Sequence, residues 1–362
     1  MRSRRLQEPA GVSTAASAPI MIVFFPTYAR RSPADRGWRA TVAGMVARPL
    51  PAGSRRRGIA VAVLRRLLEL DAAEMETDVF RTRSDAFLFQ RVPGQRLRVA
   101  VGDRVFEAGI SDRSGHFSAD ILLDDDLVER CAGAASGTGR RIAYSGLPLD
   151  DEDGPAPGVG TVHLVEHAGV SLISDIDDTV KVSNVANRRE LLRNTFIREF
   201  SAVPGMAEIY RRWQAAGAAF HYVSASPWQL SDCLRGFLDA AGLPAGSMHL
   251  KLFRLKDSTP LGRFPSRKRA KRRAIERIMD DFPDRRFLLV GDSGERDPEV
   301  YVEVARRRPE QVHGVLIRRL DDGHTPPHKL DRRLERLARR LPGGDLRVFT
   351  HAEELADITP AG

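Results

Sequence analysis

The chain has 362 residues, 42% hydrophobic and 29% charged, which are ordinary proportions for a globular protein long enough to hold two cores. Its two cysteines, Cys131 and Cys233, are too few and too far apart for a disulfide framework or a cysteine metal site. A formal charge of +9 attracts polyanions of every kind and therefore singles out none.

Residues 1–19 are small, polar and without periodicity, which predicts a disordered leader. Arg2, Arg4 and Arg5 precede the apolar run Ile20 to Phe25, but that run is too short to cross a membrane and lacks a cleavage site. Pro19 and Pro26 bracket it, and it reads as a strand. Residues 20–165 form an expected β-rich, sandwich-like domain. Its strand-like pieces are "TVAGMVA", "RLRVAVGD", "RVFEAGI" and "GHFSADILL", separated by Gly94, Gly102, Gly115 and a Gly/Ser run near Ser136. One helix interrupts them, with Ile59, Val63, Leu64, Leu67 and Leu68 at helical spacing. The acidic, Pro/Gly-rich "LDDEDGPAPGVG" reads as a loop near a domain border.

Next comes "HLVEH", His163 to His167, which formally matches a zinc-peptidase signature. That chemistry needs a helix, so that both imidazoles converge on one metal. Gly160 and Gly169 bracket the segment, and Thr161, Val162, Leu164 and Val165 favour extended structure. On a strand the histidines would stand roughly 13 Å apart. The match is accidental.

After Gly169 strands and helices alternate, through residues 166–362. The expected strands are "GVSLIS", "AAFHYVS", "MHLKLFRL", "RFLLVGD" and "VHGVLIRRL". Helices fit between them in "GMAEIYRRWQAAG", "SPWQLSDCLRGFLDAAG" and "SRKRAKRRAIERIMDDF". Near-continuous apolar strands with intervening helices predict an α/β fold, a Rossmann-like parallel sheet covered on both faces. Ligands bind such sheets beyond the carboxyl ends of the strands. Asp175, Ser224 and Asp292 each stand at one of those ends. Lys271 joins them because Ile275, Ile278, Met279 and Phe282 mark the buried face of its helix, and Lys271 is one turn up on that face.

Phosphoryl transfer suits these residues. Asp175 can attack phosphorus, and Asp177, two residues on, can protonate the leaving alkoxide and then activate water. Ser224, Lys271 and a divalent cation would neutralise the phosphate; Asp175, Asp177 (through its carbonyl), Asp292 and Asp297 are the candidate ligands for Mg²⁺. Blander readings stand beside these. Ser224 could cap a helix, Lys268 could replace Lys271, Asp178 is a hydrogen-bonded neighbour, and Thr179 orders the loop through backbone hydrogen bonds.

The motifs "DIDDT" at 175–179, Ser224 after "FHYV", Lys271 and "GDSGERD" at 291–297 resemble the haloacid dehalogenase superfamily. "ISDIDDTVKVS", "LLRNTF", "VSASPW" and "GDSGERDPEVY" narrow the resemblance to the catalytic domain of the actin-patch-associated phosphatidate phosphatases. Ala225 stands where that family often carries asparagine. The resemblance implies a magnesium-dependent enzyme that converts phosphatidate to diacylglycerol, with a β-rich region ahead of the catalytic domain. The alternatives are a phosphatase for a soluble phosphomonoester, or a membrane- or nucleic-acid-binding module with a vestigial site. With aromatics at 7% and no basic patch interleaved with them, no nucleic-acid partner is expected. A cytoplasmic enzyme peripheral to an anionic membrane is expected instead. The candidate contacts are "SRKRAKRR" and "KLDRRLERLARRL", the latter with Leu330, Leu334, Leu337 and Leu341 along one face, which could equally cover the sheet.

Overall fold

The computed structural model describes residues 19–32, 36–132, 139–147, 158–185, 187–251, 267–321, 325–341 and 346–360. Nearly all of the expected leader, the run near Ser136, most of the acidic stretch and Ser266 lie outside the described residues.

The chain opens with β1 (Met21–Phe24), β2 (Thr27–Ser32) and β3 (Gly37–Pro49), then α1 (Arg55–Leu68), α2 (Ala72–Glu76) and α3 (Asp78–Asp85). After β4 (Phe89–Arg91), β5 (Arg96–Val101), β6 (Arg104–Ile110) and β7 (His116–Asp124) come α4 (Asp125–Cys131), β8 (Arg141–Gly146) and β9 (Val159–Val165). One helix was expected before Val165, and α2, α3 and α4 are additional. They are too short to show a hydrophobic period, and their signals are local caps. Asp71 and Glu74 form a capping box on α2, Thr77 caps α3, and Asp124 caps α4.

The nine strands are hydrogen-bonded into one connected sheet, where stacked separate sheets were expected. The thirteen-residue β3 makes this possible. Along one side it pairs with β2 and then β1, and along the other with β7 and then β4. The sheet continues from β2 through β9, β8 and β5 to β6, which comes back beside β7. Trp38, Val42, Leu97, Val99, Leu123 and Ile142 fill the space this curled sheet encloses.

The second half runs β10 (Gly169–Ser174), α5 (Arg188–Phe196), α6 (Met206–Ala215), β11 (Ala219–Pro227), α7 (Ser231–Ala240) and β12 (Ser247–Lys251). It continues with α8 (Arg267–Asp281), β13 (Arg285–Asp292), α9 (Asp297–Arg307), β14 (Val312–Arg318), α10 (Pro327–Ala338) and β15 (Leu346–Phe349). All six strands are parallel, in the order β12-β11-β10-β13-β14-β15. Alternate residues feed opposite cores. Leu172, Leu288 and Val290 pack with α6 and α7, while Ile173, Phe287 and Leu289 pack with α8, α9 and α10. Chain order reverses between β10 and β13, and a crevice opens there at the strands' carboxyl ends.

The helix for which a membrane interface and a place against the sheet were both open is α10, and its leucines take the second. Leu330, Leu334, Leu337 and Leu341 are at most 9% exposed, packed against the sheet, and Arg333 pairs with Glu299 at 2.6 Å. No helix among the described residues is long and apolar enough to cross a membrane.

The two sheets touch along β2. Tyr28 Oη donates to Asp281 Oδ2 (2.5 Å), Arg30 pairs with Asp281 at 2.9 Å, and Met248 N donates to Pro26 O (2.9 Å). The turn from β9 into β10 is gathered by the buried Arg285, which donates to Glu166 O (2.9 Å), Ala168 O, Val170 O and Ser171 Oγ (2.8 Å).

Candidate active site

The crevice holds the residues expected there. Asp175 follows β10 directly, and its N–H donates to Val290 O on the neighbouring β13 (2.9 Å), so the sheet ladder itself fixes this acid. Asp292 ends β13, and Asp297 begins α9. Lys271, inward-facing on α8, places Nζ 3.0 Å from Asp175 Oδ1 and 2.5 Å from Asp297 Oδ1. The rival Lys268 is partly exposed and pairs with Glu303 at 3.1 Å. Lys271 is therefore the lysine of the site.

Carboxylate oxygens of Asp175, Asp292 and Asp297 converge within 4.8 Å of one another, all from buried residues. Asp292 Oδ2 and Asp297 Oδ2 are buried without a hydrogen-bond partner. Burial raises the Asp175 carboxyl well above its usual range; Lys271 opposes this, while Asp297, Asp292 and Asp177 add to it. Burial and then Asp297 raise Asp292 in the same way. Burial acts to lower the Lys271 ammonium, but Asp175 and Asp297 outweigh it and leave its pKa well raised. Three buried carboxylates against one ammonium leave excess negative charge, and the orphaned oxygens fit a hard divalent cation such as Mg²⁺.

Asp177 lies apart from this trio. Its Oδ1 accepts from Lys181 Nζ (2.8 Å) and Ser183 Oγ (2.6 Å); its Oδ2 accepts from Ser226 Oγ (2.6 Å) and Ser224 Oγ (3.2 Å). Although burial acts to raise its pKa, Lys181 and these hydroxyls hold it below the usual value. The side chain is committed to these donors and does not join the three converging carboxylates. Ser224 is not a helix cap, because α7 begins only at Ser231, after a turn of 3₁₀ helix over Trp228–Leu230.

Lys181, Ser183 and Ser226 were not anticipated. Lys181 and Ser183 meet Asp177 because the chain reverses at Asp178, which adopts a left-handed φ of +54°, and Ser226 reaches it from β11, beside β10 in the sheet. Asp178 stabilises this turn by accepting from the N–H groups of Ser183 (2.7 Å), Asn184 (2.9 Å) and Val185 (2.7 Å). Thr179, expected to order the loop through backbone hydrogen bonds, donates its N–H to Ile176 O (3.3 Å), while its Oγ1 is buried without a hydrogen-bond partner and the side chain that orders the loop is that of Asp178. Within "HLVEH", His163 to Val165 end β9 and Glu166 and His167 follow in the turn, so no helix carries the two histidines; burial, and then Arg141, lower the His163 pKa to about 4.

Comparison with known proteins gives one family. Residues 170–319 match the family described as "Phosphatidate phosphatase APP1, catalytic domain". The chain is 30% identical over 254 residues to the phosphatidate phosphatase APP1 of Saccharomyces cerevisiae, covering 67% of this chain and 41% of that protein. It is 32% identical over 161 residues to the uncharacterized protein C29B5.04c of Schizosaccharomyces pombe, covering 43% of this chain and 26% of that one. The chain thus spans less than half the length of either relative. A crystal structure of a sialyltransferase from Photobacterium damsela overlays at 10% identity with a TM-score of 0.24, over 70% of this chain and 50% of that one, and carries no argument.

Proposed function

We propose, from a chain whose residues 170–319 belong to the phosphatidate phosphatase APP1 catalytic-domain family, that this protein hydrolyses phosphatidate to diacylglycerol and phosphate with Mg²⁺ as cofactor. The observation that carries the reading is the pairing of Asp175 with Lys271 at the sheet's switch point, with Asp177 two residues on and held by separate donors. On this reading the parallel sheet is of the haloacid dehalogenase type. The two sheets are two domains meeting at 165/166.

Asp175 attacks phosphorus, forming an aspartyl-phosphate as the bond to the glycerol oxygen breaks. Asp177, which must first take up a proton against the pull of Lys181 and its serine donors, gives that proton to the departing alkoxide. It then takes a proton from water, which attacks the same phosphorus, frees phosphate and restores Asp175. Lys271 holds the nucleophile in place, and Ser224 and Ser226 orient Asp177. Asp175, Asp292, Asp297 and the Asp177 carbonyl would hold Mg²⁺, whose chemistry is to offset charge on the phosphate.

Peripheral contact with an anionic membrane, in a cytoplasmic protein, belongs to the same reading, and no nucleic-acid partner is invoked. The helix that favours it is α1. Its Ile59 and Val63 are 65% and 51% exposed, among the exposed arginines Arg55, Arg56, Arg65 and Arg66. No acidic residue lies within that helix.

The test is phosphate release by the purified chain from phosphatidate in mixed micelles, beside a panel of soluble phosphomonoesters. Phosphatidate should be preferred. Brisk turnover of a soluble ester with none of phosphatidate would favour the soluble-substrate alternative.

A further inference from the structure

A cleft of about 1540 Å³ starts at Ser224, Lys271 and Asp297 and runs to the face of the curled sheet. That is larger than the roughly 300–1,000 Å³ of common small-molecule sites. Its walls come from both halves of the chain: Phe25, Ala43 and Ile110 from the curled sheet, Trp228, Met248 and Leu250 from the parallel one. Phe25, Ala43 and Leu250 are half-buried and Ile110 is 57% exposed; Phe25 and Leu250 pack partly on buried neighbours, and each of the four keeps apolar surface toward the cleft. Trp228 packs on Phe25 and Phe89, with ring centroids 5.5 and 5.4 Å apart, which makes one wall rigid. Two partly exposed cations, Lys268 and Arg296, also line the cleft.

A site for a small polar alcohol would surround the leaving oxygen with hydrogen-bonding groups. Here much of the lining away from the acids is apolar, as an alcohol bearing long hydrocarbon tails requires. We propose that this cleft is an acyl-chain site, and that Phe25, Ala43 and Ile110 of the curled sheet select the leaving group by its tails. The proposal rests on the phosphatidate reading and gives the curled sheet a specific task. The hydrogen bonds Met248 N to Pro26 O (2.9 Å) and Tyr28 Oη to Asp281 (2.5 Å) hold the two walls at a fixed spacing.

The experiment uses the full chain with monomeric phosphatidates from dibutanoyl to dioctanoyl, with glycerol 3-phosphate as the tail-less substrate. Tryptophan fluorescence during titration with dioctanoylglycerol gives a readout independent of turnover. In the wild type kcat/KM should rise at least about tenfold along the series. Ile110→Asp should cut the ratio of dioctanoyl phosphatidate to glycerol 3-phosphate turnover at least about tenfold and weaken dioctanoylglycerol binding alike. Ala43→Gln should do the same. Because Ile110 is exposed, its variant keeps the test valid if Ala43→Gln fails to fold. A flat chain-length series, or variants that bind dioctanoylglycerol as the wild type does, overturns the proposal. Turnover of glycerol 3-phosphate alone, with dioctanoylglycerol still bound through Ile110, overturns the phosphatidate reading and supports the cleft.

Discussion

Lys181 Nζ stands 2.8 Å from Asp177 Oδ1, a buried ion pair closed within one tight loop. Removing one partner of such a pair leaves the other charged and desolvated, at a cost of about 3–5 kcal/mol. Lys181→Met should lose stability of that order in urea unfolding, and Lys181→Met combined with Asp177→Asn should recover much of it. A double variant whose loss equals the sum of the two single losses would mean that the pair is not coupled.

Asp177→Asn should lower phosphatase turnover by about 10²–10⁴, the usual contribution of a positioned acid/base. Asp175→Asn should abolish turnover together with any phosphoenzyme trapped by acid quenching. It should not unfold the protein, because it removes a buried negative charge repelled by Asp297 and Asp292. A trapped phosphoenzyme in Asp175→Asn would move the nucleophile elsewhere.

Chelation should remove activity, and Mg²⁺ should restore it. Asp292→Asn, which neutralises one of the three converging acids, should raise the Mg²⁺ concentration for half-maximal rate at least about tenfold. Full activity after exhaustive chelation would refute the metal requirement.

Stability should fall in mild acid. Burial, and then the nearby Arg141 and Arg277, lower the pKa of His163 and His249 to about 4, and burial holds His221 well down as well. The unfolded chain takes up these protons near the ordinary histidine value of about 6.5. Between those limits the unfolded state binds more protons, so the contribution is complete above about pH 6.5 and is lost as pH falls toward 4. Melting temperature measured from pH 7 to 4.5 should drop steadily, and less steeply in His249→Gln.

Vesicle flotation checks the role of α1. The chain should float with phosphatidylglycerol vesicles at low salt and separate from them near 1 M salt, where screening shortens to about 3 Å. Ile59→Asp with Val63→Asp should abolish flotation. Flotation unchanged in that variant would leave α1 without this function.

Much of the site was legible because it follows from periodicity. Apolar strands that end in Asp175, Ser224 and Asp292 place those residues together once the sheet is parallel, and helical phase adds Lys271. Lys181, Ser183 and Ser226 were not legible. Lys181 and Ser183 reach Asp177 through a loop with left-handed residues at Asp178 and Asn184, whose conformations leave no periodic mark, and Ser226 lies two residues past Ser224 on β11. The leucines of α10 left two readings open for a related reason: an amphipathic pattern gives a helix one apolar face without saying whether protein or lipid covers it. The curled sheet was hard to read because its closing pair, β2 with β9, joins Thr27 to Val162 across most of that half of the chain.

Arg285 works as a hinge pin. With one guanidinium on the carbonyls of Glu166, Ala168 and Val170, it locks the single covalent elbow between the halves, at a point where Gly169 has a φ of +111°. The elbow lies at the opposite end of β10 from the acids, and with the Met248–Pro26 and Tyr28–Asp281 bonds it ties the two halves together. On the phosphatidate reading, substitutions at this elbow should alter which leaving groups are accepted while every acid keeps its place.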